Sequence, residues 1–101
     1  MKEIQVSCIT KSTPYGSHEH ITHIGGIGST AWRLTKESAI RRIDSKEESF
    51  FTIDKTTGKR AYVGVVREAG KPPFLRTHAD GVWNDNLLAQ PTCTAANVVI
   101  D

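Results

Sequence analysis

Three histidines, His18, His20 and His23, lie within six residues of one another, and imidazole is the side chain that most often ligates metals. On a strand, His18 and His20 project to the same face, as chelation requires, whereas His23 projects to the other. The spacing matches neither HExxH nor a paired CxxC zinc signature. One hypothesis is therefore a zinc site that Cys8 or Cys93 completes. The alternative hypothesis, which the sequence favours, is that the histidines make ordinary hydrogen bonds and that the protein holds no cofactor.

The densest polar region of the sequence runs from Arg76 to Asn86. Arginine offers a planar fork for carboxylate or phosphate, whereas aspartate, asparagine and glycine commonly brace turns. The region is therefore either a pocket for a small anion or a peptide, or a braced turn in which Arg76 pairs with Asp80. The turn chemistry favours bracing. The candidate ligand-binding residues are Arg76, Thr77, Asp80, Asn84 and Asn86.

The sequence contains no recognised catalytic motif. The segment Gly25–Thr30 precedes the predicted helix but lacks the lysine of a phosphate-binding GxxxxGK[ST] loop, and no GxSxG elbow is present. A set such as Cys93, His78 and Asp80 can be assembled by chance in a chain of this size. We therefore expect a binding function rather than catalysis.

Charge and composition exclude further classes of protein. The net charge is +2, from 13 basic and 11 acidic residues, which is too small an excess for a dedicated nucleic-acid binder. Weak nucleic-acid contact would use the basic side chains around the predicted helix, Arg33, Lys36, Arg41 and Arg42. No apolar run suits a signal peptide or a membrane span. We expect a cytoplasmic protein, not bound to membranes, whose two cysteines are reduced.

Hydropathy periodicity places these residues on a simple framework. Residues 2–10 alternate as one strand, with Cys8 on the apolar face, and residues 11–19 form a loop. A short strand at His20–Ile24 leads to a flexible turn at Gly25–Thr30. A helix is predicted over Thr35–Asp44, with Thr35 as its N-cap. A meander of strands follows at Ser49–Asp54, Arg60–Glu68 and Phe74–Thr77, and then a helical turn or loop at Trp83–Leu88. The fold class is α+β, a single domain over residues 1–101 with one helix packed on a mostly antiparallel twisted sheet.

The C-terminal pattern resembles a known family. Phe74-Leu75-Arg76-Thr77-His78-Ala79-Asp80-Gly81 followed by Asp85-Asn86-Leu87-Leu88-Ala89-Gln90-Pro91-Thr92-Cys93 is similar to the ending of a small bacterial family, domain of unknown function 3892. The similarity covers about residues 4–93 and leaves 94–101 as a tail, where Asn97–Ile100 is either a short strand or disordered. The resemblance implies a small bacterial domain without an assigned activity. It draws attention to Arg76, Thr77, Asp80, Asn86, Pro91 and Cys93 without assigning them roles.

Taken together, these features predict a non-catalytic module that binds a small ligand or a protein near Arg76–Asn86. The first alternative is a metal-binding protein that uses the histidine segment. The second is a weak nucleic-acid-binding module. The identity of the ligand or partner does not follow from the sequence.

Overall fold

The strands of the protein are divided between two sheets. A computed structural model describes residues 2–101. Within these residues the strands and helical segments are β1 Lys2–Gln5, β2 Cys8–Lys11, a 3₁₀ turn His18–His20, β3 Ile21–Ile27, β4 Ala31–Thr35, α1 Lys36–Asp44, β5 Glu48–Ile53, β6 Arg60–Val66, β7 Phe74–Ala79, β8 Val82–Asn84 and β9 Val98–Val99. The expected α+β class with one α-helix is confirmed, but the strands do not form a single sheet.

The larger sheet has the order β1-β5-β6-β7-β8, and the smaller has the order β2-β3-β4-β9. Most pairs are antiparallel; β1 runs parallel to β5, and β9 runs parallel to β4. Buried aliphatic and aromatic side chains of both sheets meet in one core. Its members are Val6, Ile9, Ile21, Ile24, Leu34, Ala39, Phe50, Val63, Leu75 and Leu87.

Helix α1 forms where the sequence predicts it. Thr35 has extended backbone, and its hydroxyl accepts a hydrogen bond from Ser38 N at 3.2 Å, which satisfies one of the free N–H groups of the first turn. Ala39 is fully buried, and Ile40 and Ile43 pack on the core from the same face. Among residues 2–101, no helix is long and apolar enough to cross a membrane.

The predicted N-terminal strand is two strands in different sheets. Val6 N donates to Phe51 O of β5, whereas the next residue, Ser7, donates through its N–H to Gly25 O of β3. Successive backbone groups of an extended chain point in opposite directions, so one continuous segment can pair with a different strand on each side. The alternation of apolar residues predicted the extended backbone but gave no information on its partners.

The glycine segment was predicted wrongly as a flexible turn. Gly25 and Gly26 are buried within β3, and the connection to β4 begins only at Gly28. A Cβ atom at Gly25 would lie 2.7 Å from Trp32 O and 2.9 Å from the sulfur atoms of Cys8 and Cys93. Glycine is therefore needed here for close packing between strands. Strand β4, which the sequence analysis missed, pairs with β3 directly before the helix.

The expectation of reduced thiols was also wrong. Cys8 and Cys93 form a disulfide, and the described residues contain no free cysteine. Cys93 N donates to Ile9 O, and Ile9 N donates to Pro91 O, so the segment before Cys93 lies along the edge of β2. Disulfides persist in oxidising compartments and are rare in the cytosol, and the cytoplasmic location stays a prediction.

The C-terminal tail is ordered, in agreement with the first of the two predictions made for it. Val98 and Val99 pair with Trp32 and Arg33 of β4. The side-chain amide of Asn97 donates to Gly26 O and to Trp32 O, both at 3.2 Å. The tail thus forms the outer strand of the smaller sheet.

Candidate functional site

Thr77 is the centre of the polar region that the sequence predicted as a site. Its side chain is fully buried on β7. The hydroxyl accepts a hydrogen bond from Leu87 N at 3.1 Å and donates to the side-chain oxygen of Asn84. The same Asn84 oxygen accepts from Asn86 N at 3.0 Å. Backbone pairing between β7 and β8 ends at Asn84. Beyond this point the side-chain hydrogen bonds hold the segment whose Leu87 is buried in the core.

Arg76 lies beside Thr77 and joins this arrangement from the surface. Its Nε donates to Asn84 O at 3.2 Å, and its Nη2 donates to Asp85 Oδ1 at 3.0 Å. Arg76 therefore pairs with Asp85 and not with Asp80, the partner expected for a braced turn. We call Arg76, Thr77, Asn84, Asp85 and Asn86 the braced cluster, because hydrogen bonds join them to one another and to the adjoining backbone.

Asp80 stands apart from the braced cluster. It forms with Gly81 the two-residue turn between β7 and β8, where Ala79 pairs with Val82. Both turn residues have positive φ, 53° and 77°. That combination defines the hairpin turn for which an Asp-Gly sequence is preferred, so the role of Asp80 is to close the hairpin.

His18 connects the two regions that the sequence singled out. Its Nε2 lies 3.1 Å from the same Asp85 Oδ1 that Arg76 contacts, and its ring stacks on Phe74 at 6.5 Å between centroids. Its Nδ1 is buried and has no hydrogen-bond partner among residues 2–101. His18 is on the 3₁₀ turn rather than on a strand, so it does not share a strand face with His20 as expected.

The other two histidines have separate environments. His20 Nδ1 accepts a hydrogen bond from Ser17 N at 3.1 Å, and His23 Nδ1 lies 2.8 Å from the Thr22 hydroxyl on β3. Burial lowers the pKa of His23, and the nearby Arg33 guanidinium lowers it further. Over residues 2–101, no three His, Cys, Asp or Glu side chains are grouped so that they could hold a metal ion. Zinc binding stays a prediction, which metal analysis of the untagged protein tests.

Two of the three arginines considered for nucleic-acid contact, Arg41 and Arg42, are engaged in ion pairs, whereas Arg33 donates to the Thr10 hydroxyl. Arg41 and Arg42 both donate to Asp101 Oδ2, at 2.7 and 3.1 Å, and Arg42 also pairs with Glu48. These hydrogen bonds raise the pKa of Arg42. Their charge is therefore partly neutralised within the protein, and nucleic-acid binding stays a prediction.

A cleft of about 510 Å³ opens between the two sheets, on the side of β1 and the β3–β4 connection. This volume lies in the range of small-ligand sites, about 300–1,000 Å³. We call this feature the cleft. Its lining combines apolar side chains, such as Trp32, Leu34 and Phe50, with charged ones. Its lining is Lys2, Glu3, Ile4, Gln5, Ile27, Gly28, Ser29, Thr30, Trp32, Leu34, Arg42, Glu48, Phe50 and Ile100.

The sequence analysis did not find the cleft. Its lining comes from β1, β4, β5, α1 and two connections, and no local motif joins these segments. Trp32 lines the cleft and is only partly buried, which the sequence around it does not reveal. The second concavity, of about 200 Å³, includes Asn86 and Gln90 but is small for an organic ligand.

Comparison with known proteins gives one result. Neither the curated proteins nor the solved structures contain a significant match to this chain. A family model described as "Protein of unknown function (DUF3892)" matches residues 5–91. These residues begin at the last residue of β1 and include helix α1, the Asp80-Gly81 turn and the braced cluster. Because this match covers most of the chain, the protein belongs to the DUF3892 family.

Proposed function

We propose that the protein is a non-catalytic binding module whose ligand occupies the cleft. The observation that carries this proposal is the size and lining of the cleft, a concave space of about 510 Å³ lined by Trp32 and Phe50 together with charged side chains. Ligand sites in proteins are mostly apolar concavities with a few polar groups that orient the ligand.

The hydrogen bonds within the braced cluster make it a less favourable ligand site than the cleft. The donors of Arg76 and the hydroxyl of Thr77 are already bonded to Asn84, Asp85 and Leu87. A ligand at this cluster would have to replace those bonds, and leaving a buried N–H or hydroxyl unpaired costs about 1–3 kcal/mol. Placing the binding site at Arg76–Asn86, as the sequence suggested, therefore has less support than placing it in the cleft.

The test uses a single small probe, 8-anilinonaphthalene-1-sulfonate, which combines aromatic rings with one negative charge. Titration of ¹⁵N-labelled protein should shift the amide signals of the residues that line the cleft, above all Ile27–Thr30 and Trp32. The amides of the braced cluster should not move. Shifts confined to the braced cluster, or no saturable shifts, would contradict the proposal.

Two variants make this test specific. Gly28 lines the cleft, and a Cβ there meets no atom within 4 Å, so Gly28→Phe places an aromatic ring at the cleft without a clash at its first side-chain atom. We expect this variant to weaken probe binding at least tenfold. Arg76→Ala is the matched control, and it should leave probe binding unchanged although it removes two hydrogen bonds. A thermal melt of each variant checks that it is folded.

A further inference from the structure

Arg33 differs from the other arginines of the protein in having no ion pair. Within residues 2–101, every other arginine pairs with a carboxylate; these are Arg41, Arg42, Arg60, Arg67 and Arg76. The Nη1 group of Arg33 donates to the Thr10 hydroxyl at 3.3 Å, and its buried Nε has no hydrogen-bond partner within the same residues. A guanidinium that is partly removed from water without a counter-charge is stabilised when an anion binds beside it.

Thr10, His23 and Arg33 lie on one face of the smaller sheet. Thr10 of β2 is the cross-strand partner of His23, and Arg33 of β4 is the partner of Gly25, two residues further along β3. Cross-strand partners, and residues two apart on one strand, project to the same face. Ile24, between them, is fully buried in the core, so the three side chains lie on the face turned away from the core.

We call Thr10, His23 and Arg33 the outer-face cluster. All three are half-buried, so their polar groups are partly desolvated and still reachable from solvent. Because β3 lies between β2 and β4, the side chain of Arg33 crosses β3 to reach Thr10. None of the three residues lines the cleft, and the cluster is therefore a separate feature of the molecule.

The hydrogen bonds of Thr22 determine which nitrogen of His23 can take up a proton. A backbone carbonyl only accepts, so the Thr22 hydroxyl donates its single hydrogen to Thr10 O at 3.2 Å. The Thr22 oxygen then accepts from His23 Nδ1, 2.8 Å away, and neutral His23 carries its proton on Nδ1. Nε2 is therefore the nitrogen that becomes a donor when His23 is protonated.

Charge selects the kind of anion that suits this cluster. Burial and the positive charge of Arg33 lower the pKa of His23, and Glu37 of α1 opposes this shift only in part. The ring is therefore neutral at pH 7, and Arg33 supplies the single positive charge of the cluster. A singly charged carboxylate balances one guanidinium, whereas a phosphate dianion would leave an excess of negative charge next to Glu37.

We infer that the outer-face cluster binds the carboxylate group of a small organic acid, with Arg33 as its counter-charge and the Thr10 hydroxyl as a second donor. The planar guanidinium and an adjacent hydroxyl match the two oxygens of a carboxylate. Protonated His23 adds a third donor through Nε2. The bound carboxylate and the proton on His23 stabilise each other, so the affinity increases as the pH falls through the pKa of His23.

The first test uses formate, which stays ionised throughout because its own pKa lies well below that of a histidine. The pKa of His23 is measured from its ring Cε1–H signal by NMR, in sodium formate and in sodium chloride of equal ionic strength. Formate should raise this pKa in a saturable manner relative to chloride. Equal values in the two salts would overturn the inference, because only screening would then act. Tighter binding of inorganic phosphate than of formate would overturn the choice of a carboxylate.

The second test changes the protein. Arg33→Gln removes the counter-charge and should weaken formate binding about tenfold or more. Arg67→Gln is the matched control: it removes the same charge from a surface pair with Asp44 and should bind formate as wild type does. Thr10→Val keeps the charge of Arg33 and should weaken binding severalfold, and this variant decides the matter if a thermal melt shows that Arg33→Gln is unfolded. Formate binding that is unchanged in folded Arg33→Gln, or in Thr10→Val, would overturn the inference.

Discussion

The braced cluster and the cleft lie in different parts of the protein and differ in how their polar groups are used. In the braced cluster, side chains supply partners for backbone groups beyond the end of β8, as when Thr77 accepts from Leu87 N. The cleft is lined by segments that are distant in sequence, with apolar side chains such as Trp32 and Phe50 beside charged ones such as Lys2. The first region is a set of polar residues close in sequence that are bonded to one another, whereas the second is a concave space formed by segments that are distant in sequence.

This difference shows why polar density in a sequence is a poor guide to a binding site in a small domain. Arg, Thr, Asp and Asn are also the residues that close turns and end strands, and here they do so at Arg76, Thr77 and Asp80. A cleft depends on which segments are neighbours in the fold, and no residue type marks it. Each prediction below tests one side of this comparison.

The largest effect is expected from removing the disulfide, which fastens the chain that follows the braced cluster. Cys8 and Cys93 are 85 residues apart, and a bridge of this kind restricts the unfolded chain. The double variant Cys8→Ala/Cys93→Ala should lose about 2–4 kcal/mol of unfolding free energy, measured with urea. Binding of the anilinonaphthalene probe by the folded variant should persist, because neither cysteine lines the cleft.

Reductant provides the control for this experiment. Dithiothreitol should destabilise the wild type but leave the double variant unchanged. Equal stability of the wild type with and without dithiothreitol would contradict a stabilising role for the bridge.

The next effect tests the braced cluster itself. Thr77→Val keeps the shape of a fully buried side chain but leaves Leu87 N and the Asn84 side chain without their partner. The unfolding free energy should fall by about 1–3 kcal/mol. Thr77→Ser keeps the hydroxyl and should lose much less. If Thr77→Val is as stable as wild type while probe binding is lost, the cluster is a binding site and our comparison is reversed.

Much of the fold was predictable because local physics determines it. The helix, its Thr35 cap and the strands β5, β6 and β7 follow from periodicity and capping within a few residues. The turn at Asp80-Gly81 follows from residue types that accept positive φ. These features need no knowledge of distant parts of the chain.

The remaining features depend on contacts between distant segments. Gly25 has the composition of a turn residue, yet it is buried in β3 because the bridge between Cys8 and Cys93 packs against it. Strand β4 has a mixed pattern, with Arg33 between Trp32 and Leu34, and it is stabilised by pairing with β3 on one side and β9 on the other. The cleft exists because β1 and β2 join different sheets, which the alternation of residues 2–10 does not reveal.

The smallest effect concerns the wall of the cleft formed by the C-terminal tail. Ile100 lines the cleft, and Asp101 is bonded to Arg41 and Arg42. The hydrogen bond from Arg42 is the main cause that lowers the pKa of the Asp101 carboxyl from its usual 3.8. A carboxyl whose pKa is lower in the folded state stabilises the protein above pH 3.8, and this contribution is lost as the pH falls through the folded pKa.

The expected result is local loosening of the tail rather than unfolding, because an exposed pair contributes little to global stability. Asp101→Asn at neutral pH should reproduce the acid effect, with faster hydrogen exchange at Ile100 N, whose carbonyl partner is Arg33 O. Exchange at Leu87 N in the braced cluster should not change, because its partner Thr77 does not titrate. Faster exchange at both amides would mean that the tail and the braced cluster open together. The cleft and the braced cluster would then not be independent regions.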